Sequence, residues 1–512
     1  MLARLIAGFV FAAGCLFANV AYGQDGRWYR AESANFIVYG DLSEQQVRTA
    51  AQSLEDFDLV LRALTRIESR ASEAKLEVYL VRNIRGLRVV QPGISESVGG
   101  FYIASGDGIA AFSRYDRDLG ADRRTILFHE YAHHFMLHYF PNAYPQWYIE
   151  GFAETVSTVE ITRRRAIIGR PSELRSNWIA YGGDLPIRDL LAPERAAERD
   201  GEFTGRFYAY AWFAASYITN TPERLRGLER YVARLGEGED AIAAFEPAFG
   251  ISPEQFAAEL EEFKEDGRVR LRAMDLPDEP APMTVTRLPR AANDLLLPLA
   301  RLRTSQSEVS DEDATEIVAA AQPYLSDAMA LLALARLSIR RGDNAAARTH
   351  LDALFAMQEN HPEGRYLLAN MILEETRELS SDEARAGLVE ARRHLVRSFR
   401  QDPNYYPTLY LYSSTFADEP QPMSDDQLEV LARALELAPQ ADHIRMLLAR
   451  ELIRSDEYEH AVAILRPALY APHGGDSASY ARWLFDAARA GQQPQGHWRD
   501  ADTPAAVDDR GD

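Results

Sequence analysis

The chain has 512 residues, 46% of them hydrophobic, with 56 Lys and Arg against 77 Asp and Glu and a formal net charge of −21. That length suggests about two to four folded units, and the composition excludes a collagen, a disulfide mini-protein and a wholly disordered chain. The acidity argues against a nucleic-acid partner, and a single long apolar stretch, at the very start, argues against a polytopic membrane protein.

Residues 1–23 read as a secretory signal: Arg4, an apolar core from Leu5 to Val20, then Ala21-Tyr22-Gly23 before cleavage at Gln24. The mature protein is therefore expected to be exported, periplasmic or extracellular. Cys15 is the one cysteine and lies inside this segment, so no disulfide is available. Ala12-Ala13-Gly14-Cys15 faintly resembles a lipobox, and membrane attachment is expected only if Cys15 is lipidated. Ala12 and the apolar run that continues to Val20 argue against that.

A first domain is expected over 24–270. Asn35–Tyr39 and Leu76–Val81 read as strands, and Ser43–Leu64 between them has helical periodicity through Val47, Leu54, Phe57, Leu61 and Leu64. Gly100–Phe112 reads as a hairpin turning at Gly106-Asp107-Gly108. Helices are expected at about 123–139, 148–160, 206–219, 221–235, 239–248 and 252–265. Pro277, Pro280, Pro282 and Pro289 mark 271–290 as a linker. From 291 to 490 the pattern becomes helix pairs rich in Ala and Leu, and residues 491–512 read as a mobile polar tail. Leu331–Leu354 and Met446–Leu469 are alike, each with an apolar helix, a polar turn and a second helix. In the latter, Ala449, Ala461 and Ala468 occupy small-residue positions that resemble a degenerate tetratricopeptide repeat. A generic helical bundle is the alternative.

Chemistry concentrates at His129-Glu130-Tyr131-Ala132-His133, an H-E-x-x-H pattern. On a helix the two imidazoles lie one turn apart on one face, within reach of one Zn²⁺. Glu130 then stands beside the metal, placed to take a proton from its water. No Pro or Gly interrupts Ala121–Phe140. Beyond His133, Trp147-Tyr148-Ile149-Glu150-Gly151-Phe152-Ala153-Glu154 puts two more carboxylates one turn apart, Glu150 seventeen positions on. One would complete three protein ligands and leave the fourth position to water. Glu154 suits a second role, accepting the free ring N–H of a liganding histidine, and Gly151 lets the backbone pass close to the first helix.

These motifs resemble those of a zincin metallopeptidase of the gluzincin type, and are most similar to the exported bacterial peptidase-MA-like proteins, which often carry C-terminal tetratricopeptide repeats. The similarity spans about residues 28–265 and includes Phe36–Tyr39, Gly100–Tyr102 and Phe207–Ile218. It implies an α+β zincin-like catalytic domain followed by an all-α, tetratricopeptide-like helical-repeat domain. It implies His129, His133 and Glu150 as zinc ligands and Glu130 as general base. The histidine distribution agrees, because every His before residue 350 lies between 129 and 138 and none is left for a distant third ligand. Glu154 is the next choice. His134 and His138 form a second pair turned away from that face, read as packing or surface residues. An oxyanion donor is sought in Gly205–Trp212, where Tyr208 and Tyr210 cannot share a face; the resemblance favours Tyr208, against the alternative that both rings simply pack. The arm Ile109–Phe112 is a candidate edge strand for an extended peptide. Arg163-Arg164-Arg165 reads as a solvated turn.

The expected function is a zinc-dependent peptidase acting on a polypeptide substrate through a metal-activated water, with the helical domain recruiting a protein partner or substrate. The alternative is a non-catalytic envelope scaffold with a structural or vestigial metal site.

Overall fold

The computed structural model of the chain describes residues 27–68, 73–96, 98–115, 123–162, 164–196, 200–266, 271–305, 308–376, 381–417, 419–470 and 475–495. The expected secretory signal with Cys15, Arg163 and the tail beyond 495 lie outside the described residues. Among those residues no helix is long and apolar enough to cross a membrane.

The first half is built on a mixed sheet. Strands β1 (Tyr29–Glu32) and β2 (Phe36–Gly40) lead into helix α1 (Glu44–Thr65), then come β3 (Leu76–Val81), α2 (Ile84–Val90), β4 (Gly100–Ala104) and β5 (Ile109–Arg114). Ser43 starts α1 with a capping box shared with Gln46. The stripe read from the sequence is what α1 buries: Val47, Leu54, Phe57 and Leu61 are fully covered. The α-helical link between β2 and β3 makes those strands parallel, and β3 pairs parallel with β5. The hairpin β4–β5 is antiparallel, with Tyr102 opposite Ala111.

Helix α3 (Arg123–Tyr139) crosses the same sheet face as α1. Its core side carries Phe128, stacked on Phe57 at 4.2 Å, and Tyr131, edge-on to Phe36. A buried polar network fixes it further. Asp58 of α1 accepts from the Tyr131 hydroxyl and from Arg62 Nε, both at 2.6 Å, and Arg62 also donates to the Tyr139 hydroxyl. Losing one partner of such a buried charge is strongly destabilising, so the network holds α3 against α1. Next come α4 (Gln146–Ser157), β6 (Glu160–Thr162), β7 (Arg165–Ile168), α5 (Glu173–Tyr181) and α6 (Ile187–Leu191). They are followed by α7 (Gly201–Thr219), α8 (Pro222–Gly236), α9 (Phe245–Phe249) and α10 (Pro253–Asp266), which close a helical layer around the aromatic residues of α7. Only the end of the segment expected as a helix over 239–248 is helical.

Three expectations are corrected here. Residues 271–290 are not a free linker, because they contain β8 (Arg272–Asp275) and β9 (Thr284–Arg287). β8 completes a small sheet in the order β6-β7-β8, and β9 pairs with β1, giving the main sheet the order β4-β5-β3-β2-β1-β9. Pro277, Pro280 and Pro282 fall between the two strands, where no ladder bond is required, and four-residue strands are too short to show a period. The arm Ile109–Phe112 is not an edge either. β5 lies between β3 and β4, and the edge beside α3 is β4. Arg164 sits in the β6–β7 turn at φ 59° and is half-buried, its guanidinium paired with Asp56 rather than solvated.

The second half is a helical-repeat array: α11 (Ala292–Thr304), α12 (Asp311–Ala321), α13 (Ala328–Arg340), α14 (Asn344–Met357), α15 (Pro362–Thr376), α16 (Ser381–Gln401), α17 (Tyr406–Ser414), α18 (Asp425–Leu437), α19 (Asp442–Arg454), α20 (Tyr458–Leu465) and α21 (Gly475–Arg489). Neighbours in the chain pair: α13 with α14, α15 with α16, α17 with α18, α19 with α20. Ala449, Ala461 and Ala468 lie fully buried in one cluster, the small side chains letting α19 and α20 approach. The array is not a separate body. Leu296 and Ala300 of α11 join Trp28, Tyr79 and Phe112 in a core on the second face of the sheet. At the far end Arg466 and Arg482 donate to the carbonyls of Gly236 and Gly238.

Candidate metal centre

Three faces of α3 do three jobs. Phe128, Tyr131 and Phe135 enter the core. His134 and His138 turn toward the array. His129 and His133 project together on the remaining side, as their spacing requires. Across from them α4 presents Glu150. The three facing atoms form a small triangle: His129 Nε2 to His133 Nε2 is 3.0 Å, His133 Nε2 to Glu150 Oε2 is 3.4 Å, and His129 Nε2 to Glu150 Oε2 is 3.5 Å. Ligands of a tetrahedral ion bound at ~2.0–2.1 Å stand about 3.3 Å apart, so the triangle has the size of one face of such a shell. Glu150 Oε2 is buried and makes no hydrogen bond. A buried anionic oxygen and two imidazole nitrogens converging on one point is a costly arrangement unless a proton or a cation sits between them. His129, His133 and Glu150 are the cluster of this kind found among the described residues.

The charge balance points the same way. Burial opposes a proton on His129, but the facing Glu150 carboxylate and those of Glu154 and Glu130 outweigh it and raise its pKa to about 9. Burial likewise opposes the charge of Glu150, yet the imidazoles of His133 and His129 hold its carboxyl well below the usual range. The pocket draws positive charge to its centre.

Glu154 is one turn along α4 and does not join the triangle. Its Oε1 lies 3.3 Å from His129 Nδ1, which fixes the ring so that Nε2 faces inward. Arg175 of α5 grips the same carboxylate with two bonds, Nε to Oε2 at 2.9 Å and Nη2 to Oε1 at 2.7 Å. Arg175 was invisible in the sequence. It lies on another helix, outside any motif, in a chain where all but two of the 56 basic residues are Arg. Its guanidinium also lies 5.1 Å from the Tyr208 ring centroid.

Glu130 is 8% exposed. Burial pushes its carboxyl up, and His129 and His133 only partly offset this. Tyr208 stands beside His129, ring centroids 6.3 Å apart. The Glu150 carboxylate, followed by burial, pushes its hydroxyl well up, so it stays protonated and able to donate. Tyr210 points elsewhere and donates to Asp184. The close approach expected at Gly151 exists, but to α7 and not to α3: a Cβ there would run into the Ala211 carbonyl and the Ala215 side chain. Gly151 thus sets the distance between the helix bearing Glu150 and the one bearing Tyr208. His134 and His138 lie off the triangle, their rings stacked with centroids 5.3 Å apart.

No family model and no curated protein matches the chain. Among solved structures, a thermophilic TPR protein of Thermus thermophilus aligns with 39% of this chain and 99% of its own at 22% identity and a TM-score of 0.32. A similarity of that size carries no argument about fold or activity; the helical array described above rests on its own helix pairing.

Proposed function

We propose that the chain is an exported zinc-dependent peptidase, the reading supported best by the triangle of His129, His133 and Glu150 with a buried carboxylate beside it. These three residues would hold the ion. When bound, zinc supplies Lewis-acid polarisation of the scissile carbonyl and a lowered pKa for the attacking water. Glu130 takes the proton of that water on its carboxylate and passes it to the leaving amine; its raised pKa brings it closer to the working pH of a general base. Tyr208 donates its hydroxyl proton in a hydrogen bond to the developing oxyanion. Glu154 and Arg175 keep the His129 ring turned inward. An extended polypeptide adds to the sheet along β4, the edge nearest Glu130. The tetratricopeptide-like array serves a protein partner or the substrate chain.

The relay behind His129 gives a separate expectation. Arg175→Met leaves Glu154 unheld and is expected to weaken zinc binding about 10- to 100-fold, read by competition with a chromophoric chelator, with far-UV circular dichroism unchanged.

The test of the whole reading is elemental analysis of the purified protein with turnover of casein and a broad peptide library. About one zinc per chain with zinc-dependent cleavage supports it. Zinc-loaded protein inert toward the library favours the second reading, a non-catalytic envelope scaffold with a structural ion, for which the observation is the size of the array. A protein that binds no zinc ends the first reading.

A further inference from the structure

The β4–β5 turn enters the array, and the first helix of four successive pairs reaches it. From α13, Arg336 Nη1 donates to Asp107 Oδ2 at 3.0 Å. From α15, the Tyr366 hydroxyl donates to Asp107 Oδ1. From α17, the Tyr406 hydroxyl donates to the Ser105 carbonyl at 2.7 Å. From α19, the His443 ring lies against Gly106, where a Cβ would stand 3.3 Å from Nε2. Arg336 is 3% exposed and shares Glu363 with Arg303, so Asp107 closes a buried charge network of the array. A second contact meets the middle of β4. Gln440, between α18 and α19, donates Nε2 to His134 Nδ1 at 3.2 Å, and the Tyr102 hydroxyl lies 3.2 Å from the same nitrogen.

β4 needs such support. It has five residues and pairs on one side only, with β5, and short edge strands of this kind fray first. Its opposite end is Gly100, where a Cβ would come within 3.3 Å of Glu130 Cγ. The strand therefore runs from the array at its tip to the candidate base at its start.

We infer that the helical array is a built-in clamp that sets the position of β4 over Glu130, with Asp107, Tyr406 and Gln440 as positioning residues for substrate binding. This rests on the peptidase reading in one respect, that β4 is the strand a substrate pairs with.

The experiment uses the full zinc-loaded chain and the variants Asp107→Asn and Tyr406→Phe. Hydrogen–deuterium exchange at Gly100–Ala104 is measured without substrate, and KM and kcat are measured on a peptide the parent protein cleaves. Exchange in β4 is expected to quicken at least ~10-fold in Asp107→Asn and less in Tyr406→Phe, as open states become accessible. Zinc content stays the same, and KM rises several-fold with kcat within about twofold, as loss of uniform binding requires. Exchange within about twofold of the parent in both variants overturns the clamp, as does a fall in kcat at unchanged KM. If Asp107→Asn does not fold, Tyr406→Phe, which removes a single hydroxyl, decides. If the protein cleaves nothing, the exchange result still decides the clamp, so its failure and the failure of the peptidase reading remain distinct.

Discussion

Glu130→Gln is expected to abolish peptide hydrolysis while zinc remains stoichiometric. The amide has nearly the shape of the carboxylate but cannot accept a proton, and general-base assistance is worth about 10²–10⁴ in rate, roughly 3–5 kcal/mol of barrier. Glu130 is no part of the triangle formed by His129, His133 and Glu150, so the ion should be retained. Elemental analysis and initial rates on casein or a cleaved peptide check both halves. Hydrolysis persisting within tenfold of the parent would remove Glu130 from the chemistry and with it the main reason to prefer an enzyme over a structural metal site, which has no need of a carboxylate at that position.

The second large effect is expected from Glu150→Ala. Glu150 contributes the one anionic atom of the triangle, and its neighbours Nε2 of His129 and His133 are then left with no third ligand. Loss of an outer-shell partner costs 10- to 100-fold in metal affinity, so loss of the ligand itself should exceed about 100-fold. Calorimetry gives a second readout. Zinc present at a hundred times its dissociation constant stabilises the parent fold by about 2.7 kcal/mol, and that gain should vanish in Glu150→Ala. Glu154→Ala is the informative companion. If it, and not Glu150→Ala, empties the site, the assignment of the third ligand passes to Glu154.

What could be read beforehand was what local patterning controls. The i, i+4 spacing of His129 and His133 dictates a shared face on any helix, and the same holds for Glu150 and Glu154, so the two halves of the triangle were legible separately. The paired small residues Ala449, Ala461 and Ala468 marked a helix–helix contact for the same reason. What escaped was long-range. Nothing in Arg175 distinguishes it from its many fellow arginines until α5 folds back onto α4. Strands β8 and β9 are defined by partners some 110 and 255 residues away, and the prolines around them spoke louder than four residues of alternation. Gly151 announced a close approach but not which helix made it. Ile109–Phe112 looked like an edge because a hairpin arm does not reveal which of its two strands finds another neighbour.

The apolar seam between α11 and the sheet bears on how the molecule is divided. A fragment ending near residue 290 would keep every motif of the candidate centre, yet it would wet Trp28, Tyr79 and Phe112, which Leu296 and Ala300 keep dry. Burying side chains of this kind is worth about 1.5–3 kcal/mol each, a large share of the margin that separates most folded chains from collapse into aggregates. The seam thus ties the stability of the two halves together, and a change that loosens the repeats also loosens the sheet that carries the candidate centre.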